Sequence, residues 1–317
     1  MEGVFVTATS FELERCDGQL MQCLRWSPDG PVRGVVQIAH GMQEHAARYD
    51  AVARLIVDAG YAVYAADQRG HGRSVGNPSA QGRLGLAGWK GVLCDMHVLS
   101  GAIRGTHPNQ PLFLLGHSWG SVLAQAYAQQ WGVDLKGLIL SGSNGGDPLV
   151  APGVLLARLV VAIRGGDRQA VLLDRLSVGR LNNSFEPGAT GKEWLSTKAD
   201  EVRLYVDDPR CGFPCTNSFF LELLRLFRVT WSSSAEARMP KGLPVLTITG
   251  AGDPVSRGGL GVRALAARYR GLGLADVTER YYDGSRHEVF NDVSRDEAVR
   301  DIVDWLNGQS SLPSAQV

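Results

Sequence analysis

Residues 112–130 read Leu112-Phe-Leu-Leu-Gly116-His-Ser118-Trp-Gly120-Ser-Val-Leu-Ala-Gln-Ala-Tyr-Ala-Gln-Gln130, an apolar run, a Gly-x-Ser-x-Gly pentapeptide and a small-residue helical pattern with no gap between them. A strand that turns sharply into a helix at such a pentapeptide holds its serine in strained backbone geometry with the hydroxyl exposed, and Gly116 and Gly120 leave room for neighbouring backbone to pass. The stretch therefore predicts an elbow that presents Ser118 as a nucleophile.

The pentapeptide alone is weak, because 39 glycines make roughly one third of a match expected by chance in this chain. A second copy exists at Gly72-Arg-Ser74-Val-Gly76, followed by Asn77 and Pro78. No helix can start there, so Ser74 reads as a loop residue.

The chain has 317 residues, 44% of them hydrophobic, enough for a large α/β core with an insert. Its 32 basic and 32 acidic residues cancel, and no Lys/Arg run forms a phosphate-binding stripe, which argues against a nucleic-acid partner. The amino terminus has neither a positive n-region nor an apolar h-region, and no 18-residue apolar stretch occurs; a soluble, cytoplasmic protein is expected. Five cysteines (Cys16, Cys23, Cys94, Cys211, Cys215) are an odd count in a chain of this size, which argues against a disulfide framework. Cys211 and Cys215 lack a second pair or spaced histidines, so neither a metal site nor a cofactor is expected.

Alternating runs around Asp17-Gly18 predict a hairpin, and a second turn is expected at Ser27-Pro28-Asp29-Gly30. Strands and helices then alternate: strands over Val32 to Ala39, Tyr61 to Ala66, Pro111 to Leu115, Leu135 to Leu140, Leu243 to Thr249 and Asp276 to Tyr282, and helices over Arg48 to Asp58, Trp89 to Gly105 and Glu297 to Leu306. Near-continuous apolar strands between helices indicate a mostly parallel, doubly wound sheet. Between the fourth and fifth of these strands, helical patterns at Val154 to Ile163 and Phe219 to Phe227 occur without a convincing strand. The expected organisation is a core of 1–143 and 239–308, a helical cap at 144–238 over the carboxyl ends of the strands, and a disordered tail at 309–317.

A serine hydroxyl needs a base, itself oriented by a carboxylate, and at an elbow of this kind the chain order is Ser, Asp or Glu, then His. Of seven histidines only His287 follows Ser118, in a segment just after a predicted strand. Asp253, in the Gly250-Ala-Gly-Asp253-Pro254 loop closing a buried strand, is the leading acid, with Asp276 and Asp283 behind it. The oxyanion requires two backbone N–H donors. Trp119, following the nucleophile, is one; Met42, which follows Gly41 in the loop after the Val32 to Ala39 strand, is the other, and His40 is read as a brace for that loop.

His40-Gly-Met-Gln-Glu-His-Ala-Ala-Arg-Tyr-Asp50, Asp67-Gln-Arg-Gly-His-Gly-Arg-Ser74, Gly116-His-Ser-Trp-Gly-Ser121, Gly250-Ala-Gly-Asp-Pro-Val255 and Ser285-Arg-His-Glu-Val-Phe-Asn-Asp292 together resemble the monoacylglycerol lipase and lysophospholipase branch of the α/β-hydrolases, also labelled serine aminopeptidase-like. The resemblance spans roughly residues 32–145 and 240–306. It implies the α/β-hydrolase fold with an inserted helical cap and hydrolysis of a carboxylic ester, a monoacylglycerol, a lysophospholipid or a similar acyl ester, through an acyl-enzyme. It also identifies the Ser74 loop as a structural signature. Trp119 departs from the Met that many relatives carry, is bulky enough to narrow the acyl site, and echoes proline iminopeptidases. The cap matches no transferable motif; its Val154, Leu155, Leu156, Leu159, Val160 and Val161 suit an acyl tunnel, a transient membrane-surface contact or packing on the core. The alternatives are an exopeptidase or amidase, which needs a buried carboxylate for the substrate ammonium (Glu186, Glu193, Glu201, Asp207 and Asp208 being candidates), and a thioesterase or perhydrolase on the same triad. Epoxide hydrolase and dehalogenase chemistry requires Asp where Ser118 stands.

Overall fold

The computed structural model describes residues 7–185 and 190–311. Strands β1 (Thr9–Glu14) and β2 (Leu20–Trp26) form the expected hairpin, and β3 (Gly34–Ala39), β4 (Tyr61–Ala66), β5 (Leu112–His117), β6 (Gly137–Ser141), β7 (Val245–Gly250) and β8 (Val277–Tyr282) complete one sheet in the order β1-β2-β4-β3-β5-β6-β7-β8. Only β1–β2 and β2–β4 pair antiparallel. Strands β3, β5, β6 and β7 are buried along their whole length, which is why their sequences run apolar instead of alternating. The buried Gln37 in β3 is satisfied by Met96 O and Ser100 Oγ.

Helices α1 (Asp50–Asp58), α2 (Gly88–Thr106) and α3 (Trp119–Trp131) alternate with the strands. Between β6 and β7 come α4 (Val150–Arg164), α5 (Val171–Leu176), α6 (Ala199–Asp207), α7 (Asn217–Thr230) and α8 (Ser233–Glu236). The chain then supplies α9 (Leu260–Gly271) between β7 and β8 and α10 (Arg295–Ser311) after β8. Two apolar cores occupy the two faces of the sheet. One gathers Val92, Leu99 and Ile103 of α2 with Val122 and Leu123 of α3; the other gathers Val52 and Ile56 of α1 with Val299, Ile302 and Leu306 of α10. Each of these side chains contributes about 1.5–3 kcal/mol by leaving water. Among the described residues the β6–β7 segment carries no strand, only an isolated bridge between Gln169 and Thr216.

Two expectations change. The last helix does not stop near Asn307 but runs to Ser311, because its final turns are tied to the body: Gln309 Nε2 donates to Asp276 Oδ2 at 2.7 Å, and Ser310 Oγ meets the Tyr61 hydroxyl at 3.2 Å. The rest of the expected tail, 312–317, lies outside the described residues, as do 1–6 and 186–189. Cys16 and Cys94 form a disulfide between the β1–β2 turn and α2, their Cα atoms 6.2 Å apart, while Cys23, Cys211 and Cys215 are free and buried. An odd count says only that at least one thiol is left over; it cannot say which pair the fold juxtaposes. The bond closes a loop with a sequence separation of 78, so Cys16→Ser is expected to lower the unfolding free energy by roughly 2–4 kcal/mol. Urea denaturation of both proteins with and without reductant checks this: reductant should shift the wild-type midpoint and leave the variant's unchanged.

Candidate active site

Ser118 sits between β5 and α3 at φ 52°, ψ −120°, a conformation that costs a non-glycine residue energy and persists only where its surroundings enforce it. They do so here: Ser118 N donates to Ser141 O at 2.9 Å, and Ser121 N donates to Ser118 O at 2.9 Å. A Cβ on Gly116 would collide with the backbone of Gly120, and one on Gly120 with the backbone of Ala39 and His40. The elbow glycines are thus required by close backbone approach.

His287 lies in the turn between β8 and a short 3₁₀ segment, Val289–Asn291. Its Nε2 is 2.8 Å from Ser118 Oγ, and its Nδ1 is 2.9 Å from Asp253 Oδ1. A carboxylate only accepts, so Nδ1 carries the proton and Nε2 is free to accept from the serine hydroxyl. Asp253 is fully buried, and Val255 N (2.8 Å) and Thr249 Oγ1 (3.2 Å) donate to it as well. Burial disfavours its charge, but His287, the Val255 N–H and the Ser256 hydroxyl hold its carboxyl below the usual range. Burial likewise disfavours the imidazolium, yet the Asp253 carboxylate outweighs it and raises the His287 pKa above 6.5.

The other candidates fall elsewhere. Asp276 is engaged by Gln309 at the opposite end of β8, and Asp283 is exposed. Ser74 Oγ accepts Gln22 N–H at 2.9 Å in a 3₁₀ turn, bracing β2.

The loop after β3 brings Met42 to the same cavity as Ser118, Trp119 and His287. Successive peptides of this loop are held from outside. Glu44 accepts Gly41 N–H and the Tyr49 hydroxyl (2.8 Å); His40 Nδ1–H donates to Gly41 O (2.8 Å), while His40 Nε2 accepts Gln68 N–H (3.0 Å). His40 therefore braces the peptide whose N–H belongs to Met42. Trp119 is buried, its ring stacked on His71 and tilted against Phe219.

Two features carried no signal strong enough to single them out in the sequence. Arg48 bridges Glu44 (2.9 Å) and Glu288 (2.6 and 2.7 Å), joining the Met42 loop to the His287 loop, with Tyr205 of α6 under its guanidinium. Burial opposes ionisation of Glu44, but Arg48 holds its pKa down at about 2. Residues 193–197 are stapled to the His287 turn: Arg286 donates to Glu193 O, Glu288 N to Leu195 O, and Thr197 N to Asp292. This lays the Trp194 ring 5.1 Å from the His287 ring, while the His117 ring packs 4.9 Å from that same imidazole.

The cavity encloses about 760 Å³. Its far walls are apolar, including Leu156 of α4, Leu173 and Leu176 of α5, and Leu223 and Phe227 of α7. Of the proposed ammonium partners, Glu193 is bound by Thr190 and Asn182, Glu201 pairs with Lys198, Asp208 pairs with His45 and Arg210, Asp207 is exposed, and Glu186 lies outside the described residues. None of the four described ones lines the cavity, whose buried carboxylates, Glu44 and Glu288, share Arg48.

Among the described residues, one cluster has metal-ligand spacing: His45, Asp208 and Cys211. Its donor set suits a cation poorly. The Asp208 carboxylate is committed to His45 at 3.0 Å and Arg210 at 2.7 Å, and burial pushes the Cys211 thiol up to about 12.

A mostly parallel sheet with helices on both faces and a serine on the β5–α3 turn is the architecture of an α/β-hydrolase. The chain belongs to the family described as serine aminopeptidase, S33, whose model matches residues 30–294. It is 30% identical to a monoacylglycerol lipase of Mycolicibacterium smegmatis over 89% of this chain and 90% of that protein. It is 27% identical to the human monoglyceride lipase over 94% of this chain and 90% of the relative. Its structure superposes on a thermostable carboxyl esterase from Bacillus coagulans with a TM-score of 0.89 at 27% identity, covering 96% of this chain and 99% of that one. The protein is a carboxylic ester hydrolase.

Proposed function

We propose that the protein hydrolyses long-chain acyl esters of glycerol or glycerophosphate, monoacylglycerols first among them, through an acyl-enzyme on Ser118. Ser118 Oγ attacks the ester carbonyl as His287 Nε2 takes its proton, and Asp253 holds the ring and stabilises the imidazolium. The backbone N–H groups of Met42 and Trp119 receive the negative charge that develops on the carbonyl oxygen. His287 then protonates the departing alcohol, and water, deprotonated by the same nitrogen, releases the fatty acid.

The observation that carries the substrate class is the cavity. At about 760 Å³ it is near the upper end of ordinary small-molecule pockets, and its apolar walls match an acyl chain. The buried carboxylates that line it, Glu44 and Glu288, are already neutralised in part by Arg48. An exopeptidase needs an uncommitted buried carboxylate near Ser118, and the cavity supplies none among the described residues.

In this reading residues 144–238 form the cap that walls the acyl chain. The outer face of α4 leaves Leu155 (70%), Leu159 (56%) and Ile163 (73%) exposed, an apolar stripe suited to transient contact with a lipid surface. No helix among the described residues is long and apolar enough to cross a membrane. Disulfides such as Cys16–Cys94 persist in oxidising compartments, so the cytoplasmic location expected from sequence is not carried forward.

An ester panel tests the proposal. Monoacylglycerols of rising chain length and a lysophospholipid are compared with an aminoacyl amide. kcat/KM is expected to climb into the long-chain range, with the amide at least about a hundredfold poorer, in the range by which buried site chemistry discriminates substrates. Preference for the amide, or for acetyl esters, contradicts it.

A further inference from the structure

We propose that His71, in the Arg69-Gly70-His71-Gly72 turn, is the positioning residue that sets both arms of the oxyanion site. The inference rests on the reading of Met42 and Trp119 as oxyanion donors, and goes beyond it by assigning what holds them.

His71 is completely buried and takes no part in the proton transfers. Its Nδ1 lies 2.8 Å from Arg69 O; a carbonyl only accepts, so Nδ1 carries the hydrogen. Its Nε2 lies 3.2 Å from Gln43 N; an amide only donates, so Nε2 is the acceptor. Both contacts require one neutral tautomer, and burial, with His40 beside it, keeps His71 neutral by lowering its pKa to about 3. Gln43 directly follows Met42 and has φ 61°, a left-handed conformation that a glutamine avoids unless held. Three bonds hold it: the one to His71, Gly212 N–H to Gln43 O at 2.9 Å, and Gln43 Nε2–H to Phe213 O at 2.6 Å. Since His40 fixes the Gly41–Met42 peptide and His71 the Met42–Gln43 peptide, the Met42 N–H direction is pinned from both sides.

The second arm is held by packing. The His71 ring stacks on Trp119 with centroids 5.2 Å apart and planes 26° from parallel, while Phe213 and Phe219 close on its edges at 5.2 and 5.8 Å. One imidazole thus touches the residue carrying one donor and the residue next to the other.

Two variants separate hydrogen bonding from filling. His71→Asn keeps a donor for Arg69 O but has no atom at the depth of Nε2. His71→Gln places an acceptor oxygen at that depth. Each is assayed with a nitrophenyl ester and its thionoester, whose larger sulfur accepts hydrogen bonds weakly and so makes little use of an oxyanion site. Full loss of one oxyanion donor costs about 10²–10³ in kcat. H71N, which only loosens one, is expected to lower kcat roughly 10- to 100-fold with KM unchanged and to shrink the oxygen-over-sulfur preference about tenfold. H71Q should recover most of both. An unchanged oxygen-over-sulfur ratio in folded H71N, or equal losses in the two variants, overturns the assignment. Thermal unfolding is recorded alongside, and if H71N does not fold, H71Q carries the comparison: a near-wild-type ratio supports the proposal and a shrunken one contradicts it. Failure of the underlying reading is distinguishable in the wild type, which would then show no oxygen-over-sulfur preference for the variants to lose, or would resist labelling at Ser118 by a fluorophosphonate.

Discussion

Ser118→Ala is expected to lower kcat by roughly 10⁴–10⁶-fold while leaving the protein folded. The magnitude follows from what the substitution removes. Without Oγ no acyl-enzyme forms, and His287 is left a base with no nucleophile to deprotonate, 2.8 Å from where the hydroxyl was. What survives is the rate from binding and from the Met42 and Trp119 donors acting on a water molecule. The fold should not suffer, because the strained backbone at residue 118 is enforced by Ser141, Ser121 and the contacts of Gly116 and Gly120, none of which uses the serine side chain. Initial rates on a long-chain monoacylglycerol, with circular dichroism to verify folding, check this. Ser74→Ala is the paired control and should retain wild-type turnover, since Ser74 Oγ serves Gln22 N–H and lies outside the cavity. Persistent esterase activity in Ser118→Ala would remove the elbow from the mechanism.

Asp253→Asn should cost about 10³–10⁴ in kcat, with geometry nearly intact. Its buried Oδ1 accepts from both Val255 N–H and His287 Nδ1–H, so an amide either keeps a neutral oxygen there, which no longer stabilises the imidazolium, or turns its NH₂ toward the ring and gives up the Val255 bond. The second arrangement puts the proton on Nε2, the atom that must accept from Ser118. The pH profile gives a second readout. Catalysis needs neutral His287, so wild-type kcat/KM should fall as pH drops through a pKa lying above 6.5, raised by the carboxylate against the effect of burial. In the variant burial remains while the largest raising influence, the Asp253 carboxylate, is gone and only Glu288 and Glu44 still favour the imidazolium, so the acid limb of the residual activity should move to lower pH. A variant with near-wild-type turnover, or an unshifted limb, would send the search for the acid elsewhere.

The sheet was legible because its central strands are buried on both faces and so are written as unbroken apolar runs; β5 led straight into the elbow. The meeting of Ser118, Asp253 and His287 was legible because chain order restricts the choice: one histidine follows Ser118, and Asp253 closes the strand beside it. What escaped depends on distant partners. Cys16 and Cys94 meet only when α2 packs under the first hairpin. Glu44 and Arg48 stood inside a motif that was read for its glycine and methionine, and their partner Glu288 lies 240 positions from Arg48. Trp194 reaches His287 from a stretch with no helical or strand period, held by backbone bonds that leave no trace in residue type. Trp119 was expected to crowd the acyl site; it lines the cavity with its ring packed on His71 and Phe219, partners that lie far from it in sequence.

The most direct measurement is covalent capture. A fluorophosphonate bearing a long alkyl chain mimics the tetrahedral intermediate and leaves a stable adduct on the residue that attacks it. Peptide mass spectrometry after complete inactivation should find one adduct, on Ser118, with protection by a long-chain monoacylglycerol; an adduct on another residue, or full inactivation with Ser118 unmodified, would contradict the account.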